Sequence, residues 1–206
     1  MAANNNDIRV KRTKKLIRQG LVELSATKRI NKITVKELTD YIEINRGTFY
    51  LHYKDVYDLV ESLENDLYEE FDKKLSSYTS DALLKNPVDV CEDLCIHFYE
   101  HKDLYTAFLG VNGDAQFSFK LGERFNIGVF ELFKNIFPKM KEIEYDLAYS
   151  YGKFGLVGLV NSWFNKYPEK TPREIAETWL NLTLLGIWGI LDDDGKEVLL
   201  NAKNSN

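Results

Sequence analysis

Residues 33–54, Ile-Thr-Val-Lys-Glu-Leu-Thr-Asp-Tyr-Ile-Glu-Ile-Asn-Arg-Gly-Thr-Phe-Tyr-Leu-His-Tyr-Lys, hold two helix start signals so close together that only two short helices and a tight turn fit between them. Thr34 stands three residues before Glu37, the spacing of a reciprocal capping box, and Ile33 and Leu38 bracket it as a hydrophobic staple. Leu38, Tyr41 and Ile42 follow at helical spacing and give the first helix one apolar face. Asn45 is a strong N-cap for the second helix, with Ile44 and Phe49 repeating the staple. Only Glu43 and Ile44 lie between the two helices, so they must meet at a steep angle.

With Ile44 and Phe49 packed inward, Arg46, Gly47, Thr48 and Tyr50 face outward or sideways, and His52, Tyr53 and Lys54 close the segment. A glycine inside so short a helix costs about 1 kcal/mol against alanine, so Gly47 is better explained by close approach to another surface. Guanidinium and hydroxyl groups on a short exposed helix can bond phosphate oxygens and base edges in a major groove. Arg46, Thr48 and Tyr50 are therefore the candidates for base-edge and nearby phosphate contacts. Thr34, Lys36, Asn45, His52, Tyr53 and Lys54 are the candidates for positioning a duplex.

Charge gives an independent check. Residues 1–54 hold twelve Lys plus Arg against five Asp plus Glu, a net of +7, while the whole chain is -5, which leaves -12 on residues 55–206. A basic head on an acidic body suits a chain that meets a phosphate backbone with one end only.

The run Arg46-Gly47-Thr48-Phe49-Tyr50-Leu51-His52-Tyr53, preceded by Thr34 and Leu38, resembles the helix-turn-helix of the TetR family of one-component transcriptional regulators. The motif match covers roughly residues 10–60 and rests beyond that on helix layout. Members usually carry Gly in the turn where this chain has Glu43, and often Lys where it has Val56. A turn residue with positive φ suits Gly or Asn better than Glu. The second departure leaves Lys54 as the expected phosphate anchor. The layout of the body also resembles TetR-type regulators grouped with dihydroxyacetone kinase operons.

The fold expected is all-α, from few Gly and Pro residues, plentiful aromatics and charges at helix-friendly positions. The predicted order is a disordered tail over 1–8, a helix-turn-helix domain over 9–54, a connecting helix over 55–80, a regulatory and dimerisation domain over 81–200, and a disordered tail over 201–206. A first helix is predicted over Val10–Ala26, with Ile17, Leu21 and Leu24 inward and Arg12, Lys15 and Arg18 on a basic face. A long helix over Asp55–Leu75 carries Leu59, Leu63, Leu67 and Phe71 at four-residue steps; the resemblance makes it the lever between the domains. Asn86-Pro87 writes the next start, and further helices are predicted over 87–100, 102–109, 114–137, 141–166 and 172–191.

Two body segments, Phe154–Phe164 and Trp179–Leu191, are apolar almost all round yet too short to span a membrane. Each is expected to be buried once against its own subunit and once against something else, and the resemblance implies a homodimer through the last two long helices. Phe154, Gly158, Trp179, Leu184, Ile187 and Trp188 are the candidate interface residues. Single-subunit core packing is the blander alternative. Two recognition helices related by a two-fold axis would read a palindromic site in double-stranded DNA.

The middle helices are rich in aromatics, which suits either plain core packing or an apolar ligand cavity. Phe98, Phe108, Phe125, Phe130 and Trp163 are the candidate effector-pocket residues, with Gln116, Arg124 and Asn126 as possible polar contacts. Cys91 and Cys95 lie on one helix face and His97 and His101 on another, so the four do not converge on a metal. No Gly-rich phosphate loop or G-x-S-x-G elbow is present, and the N-terminus has no signal-peptide stretch. The expectation is a cytoplasmic non-enzyme without cofactor or metal: a sequence-specific DNA-binding repressor released by a small-molecule effector. Two alternatives stand beside it, an activator or effectorless regulator acting with a protein partner, and a helical small-molecule-binding protein without DNA function.

Overall fold

The computed structural model describes residues 2–138 and 141–186, apart from the side chains of residues 2–7, 129–131, 133, 184 and 185. Every regular element among the described residues is helical: α1 (Ala2–Ser25), α2 (Val35–Tyr41), α3 (Arg46–Tyr50), α4 (Val56–Ser76), α5 (Ser80–Lys85), α6 (Pro87–Glu100), α7 (Lys102–Leu109), α8 (Ala115–Ile136), α9 (Glu142–Lys166) and α10 (Pro172–Leu185), with a 3-10 turn over Ile30–Lys32. The all-α expectation holds. No helix among the described residues is long and apolar enough to cross a membrane.

The described residues form two compact units, residues 2–76 with 101–128 and residues 77–100 with 129–138 and 141–186, a grouping that follows packing rather than chain order. In the first unit α1 runs from Ala2, through the segment expected as a tail, because nothing before Gly20 interrupts helical geometry. Ile17 and Leu21 are fully buried one turn apart, and Leu24 is half-buried. The four-residue ladder of α4 is buried as its spacing predicts, with Leu59, Leu63, Leu67 and Phe71 joined by Tyr68 and Leu75. Burying each such side chain contributes about 1.5–3 kcal/mol. Asp58 caps the start of α4, accepting from the Lys54 amide at 2.8 Å.

Helix α7 and the first part of α8 complete this unit. Phe117 on α8 is fully buried among rings, 5.2 Å from Tyr68, 6.0 Å from Tyr105 and 4.9 Å from Phe108. Arg18 Nη2 bonds both carboxylate oxygens of Asp103 at 2.7 and 2.8 Å and so ties α1 to α7. The α7–α8 loop reaches the end of α1 through Asn112. Its Nδ2 donates to the Ser25 carbonyl at 3.1 Å and its own carbonyl accepts from the Ile30 amide at 2.9 Å.

In the second unit α6 packs on α10, and Arg173 Nη1 reaches Asp89 at 2.7 Å and Glu92 at 2.6 Å across that contact. Helix α10 starts where its written signals place it. Thr171 accepts from the Glu174 amide, Glu174 accepts from the Thr171 amide at 2.9 Å, and Pro172 occupies the first turn. Helix α5 had no counterpart in the sequence reading; its six residues are started by Thr79, whose hydroxyl accepts from the Ala82 amide at 3.1 Å. On α9 one face is core, with Leu156, Val160 and Trp163 buried. The opposite face leaves Ile143, Leu147, Tyr151 and Phe154 each about two-thirds exposed, at steps of three and four residues.

Candidate nucleic-acid interface

The segment that carries the start signals folds as its caps dictate. The Glu37 amide donates to Thr34 Oγ1 at 3.2 Å and the Thr34 amide donates to Glu37 Oε2 at 3.3 Å, closing the box. Lys28 Nζ sits 2.7 Å from both Glu37 oxygens and is the main cause of that carboxyl lying below its ordinary range. Leu38 is fully buried under α2. Gly20 of α1 faces it so closely that a Cβ there would stand 2.3 Å from Ile42 Cγ2, which fixes how near α1 and the turn can come.

The turn residue Glu43 has φ of 56°, the left-handed geometry that glycine takes at lowest cost. The Ile44 amide closes the turn onto the Thr39 carbonyl at 3.0 Å. Asn45 caps α3, its Oδ1 accepting from the Gly47 amide at 2.7 Å. Phe49 is fully buried and anchors α3, its ring 5.8 Å from that of Tyr53.

This anchoring sorts the candidate DNA contacts. Thr34, Lys36, Asn45, Arg46, Gly47, Tyr50 and Lys54 are exposed, and Thr48 and His52 are half-buried. Tyr53 is buried, with Lys14 Nζ 5.8 Å from its ring centre, and burial raises its hydroxyl above the ordinary tyrosine range. On the basic face of α1, Arg12 and Lys15 are exposed, whereas Arg18 is held by Asp103. Leu51, whose apolar side chain carries no binding signal in the sequence, is 80% exposed at the end of α3.

The candidate effector residues fall in both units. Phe108 and Phe125 are buried in the first, and Phe98 and Trp163 in the second, where Trp163 Nε1 donates to the Lys170 carbonyl at 2.9 Å. The side chain of Phe130 lies outside the described residues. Of the polar candidates, Gln116 is exposed, Arg124 pairs with Asp72, and Asn126 is buried with no partner for Nδ2 among the described residues. Among the interface candidates, Phe154 and Gly158 lie on the exposed face of α9, and a Cβ at Gly158 would meet nothing within 4 Å. Trp179 is buried, while the side chain of Leu184 and residues Ile187 and Trp188 lie outside the described residues.

Three comparisons bear on this geometry. Residues 85–184 match the family TetR_C_8, the transcriptional regulator C-terminal region. The HTH-type transcriptional regulator YxbF of Bacillus subtilis is 23% identical over 164 residues, covering 78% of this chain and 42% of that protein. The chain thus spans less than half the length of that curated relative. A TetR transcriptional regulator from Streptococcus agalactiae superposes with a TM-score of 0.60 at 19% identity over 88% of this chain and 98% of its own. The dihydroxyacetone kinase operon activator DhaS superposes with a TM-score of 0.54 at 14% identity over 85% and 96%. At such identities the two structures share a fold.

Proposed function

We propose that this chain is a TetR-family transcriptional regulator, a reading supported by the match of residues 85–184, and that it reads double-stranded DNA with α3 as a homodimer and loses that hold when a small molecule binds elsewhere. The observation that carries the reading is the sidedness of α3. Phe49 is fully buried, while Arg46, Gly47 and Tyr50 are exposed on a head of net charge +7. A helix so anchored offers polar groups to base edges, and the surrounding cations offer phosphate contacts.

Dimerisation is supported by the exposed apolar face of α9, which a soluble monomer would leave in water. Two copies of α3 would then read a palindrome. Control by an effector is supported by the bonds from Asn112 to Ser25 and Ile30, since a shift of the α7–α8 loop would reach the end of α1 directly. An effector acts by preferring one arrangement of the head. The likeness to an operon activator favours a second reading, in which the same DNA contact activates transcription with a protein partner.

Binding to a random duplex library, followed by affinity measurements over a salt series, tests the reading. Lys54→Ala is expected to weaken binding to all sequences and to lower the slope of log affinity against log salt by about one. An unchanged slope removes Lys54 from the phosphate contacts, and a protein that retards no duplex at low salt is not a DNA-binding regulator.

A further inference from the structure

The exposed side of α3 has a centre, and that centre is apolar. A helix turns by about 100° per residue, so positions two before and two after a given residue both point nearly away from it. For the fully buried Phe49 those positions are Gly47 and Leu51. Leu51 keeps right-handed helical geometry, and its amide donates to the Gly47 carbonyl at 3.2 Å, so the two share one line along the outer surface. Leu51 is 80% exposed. Beside it, a Cβ at Gly47 would meet only Asn45 Oδ1, at 3.2 Å, and otherwise open space. Thr48 and Tyr50 lie to either side of this line.

From this arrangement, and resting on the reading of α3 as a DNA-reading helix, we propose that Leu51 is a specificity residue that selects thymine by apolar contact with its 5-methyl group. A single exposed leucine is ordinary. Leu51 differs in its place, at the C-terminal end of α3 on the side turned away from the buried Phe49, in line with a glycine that lets the backbone come close. A leucine offers no hydrogen bond, so it cannot tell bases apart by donors and acceptors. In the major groove the one apolar group on the four base-pair edges is the methyl of thymine. Thr48 and Tyr50 then supply hydrogen bonds to the neighbouring edges or phosphates, and Gly47 allows the approach that brings Leu51 to the methyl.

The test starts from duplexes enriched by the full-length protein from a random library. Each thymine of the enriched site is replaced in turn by deoxyuridine, which lacks only the methyl, and affinities are measured for wild type and Leu51→Ala. For wild type, the replacement at the contacted thymine is expected to weaken binding roughly four-fold, the worth of one buried methyl-sized group. Leu51→Ala is expected to bind the thymine and deoxyuridine duplexes equally. Enriched duplexes on which no replacement weakens wild type, or on which both proteins lose equally, overturn the assignment of Leu51 and leave DNA reading intact. Failure to enrich any duplex overturns the DNA reading and this inference together.

Discussion

Asn112 holds Ser25 across 87 residues of sequence: its Nδ2 donates to the Ser25 carbonyl at 3.1 Å, at the point where α1 ends and its last carbonyls lack helical partners. The same side chain lies 3.4 Å from the Ala26 carbonyl, and the Asn112 carbonyl accepts from Ile30. The α7–α8 loop thereby serves as a C-cap for the first helix of the head.

Removing that side chain has two expected effects. Asn112→Ala should lower stability in urea unfolding by about 1–2 kcal/mol, from the lost bonds and a carbonyl left short of partners. Amide hydrogen exchange should also quicken over residues 25–33 more than over α4. Uniform quickening across the chain would show that Asn112 stabilises the fold without holding this junction.

Glu43 sits at φ of 56° in the turn between α2 and α3. Left-handed geometry costs an L-residue about 1–2 kcal/mol, against about 0.5–1 kcal/mol of extra chain entropy lost by glycine. Glu43→Gly is therefore expected to raise stability by about 0.5–1 kcal/mol, seen as a higher thermal midpoint. A lower midpoint would mean that the Glu43 side chain contributes more than its backbone costs.

Glu64 on α4 is buried, and its Oε1 has no hydrogen-bond partner among the described residues. Burial first and Asp114 second push its carboxyl up from 4.5 to about 7, against the opposing pull of Lys120. The folded chain thus binds this proton more tightly than the unfolded one. The stability this gives is full below about pH 4.5 and is lost as pH rises towards 7. Glu64→Gln, which keeps the shape without the charge, should gain on wild type by about 3 kcal/mol at pH 8 and by little at pH 4.5. Urea unfolding at the two pH values measures the gap, and an equal gap at both would exclude ionisation of Glu64 as its cause.

Phe154 is 67% exposed and is the last of the four large apolar residues, after Ile143, Leu147 and Tyr151, on the exposed face of α9. Phe154→Glu leaves the core of its own unit untouched and places a charge where a second copy is expected to pack. Sedimentation velocity should then show a dimer for wild type and a monomer for the variant, with unchanged circular dichroism. A variant that remains dimeric would move the interface elsewhere.

Much of the fold was legible because its signals are local. Thr34 with Glu37, Asn45, and Thr171 with Glu174 each satisfy backbone groups within a few residues, so the helices they start begin where their spacing says. The four-residue ladder of α4 works in the same way, since one stripe of leucines has one way to be buried. Helix α5 escaped notice because its six residues are too few to show a period. Within the candidate site, the exposure of Arg46 and Tyr50 followed from the inward Phe49, but the burial of Tyr53 depended on tertiary packing, with Lys14 of α1 over its ring. Leu51 was missed because an apolar residue reads as core until its neighbours are placed.

The sequence by itself determined the helical elements, their caps, the basic head and the outward side of α3. Caps and periods act over about four residues, and the chain writes them in full. Tertiary structure alone decided that Arg18 is neutralised by Asp103, that Asn112 closes α1, and that α9 buries one apolar face while exposing the other. These pairings join residues that share no spacing rule. They form only when burial of the helices' apolar faces brings distant segments together, and that packing then selects which polar groups meet.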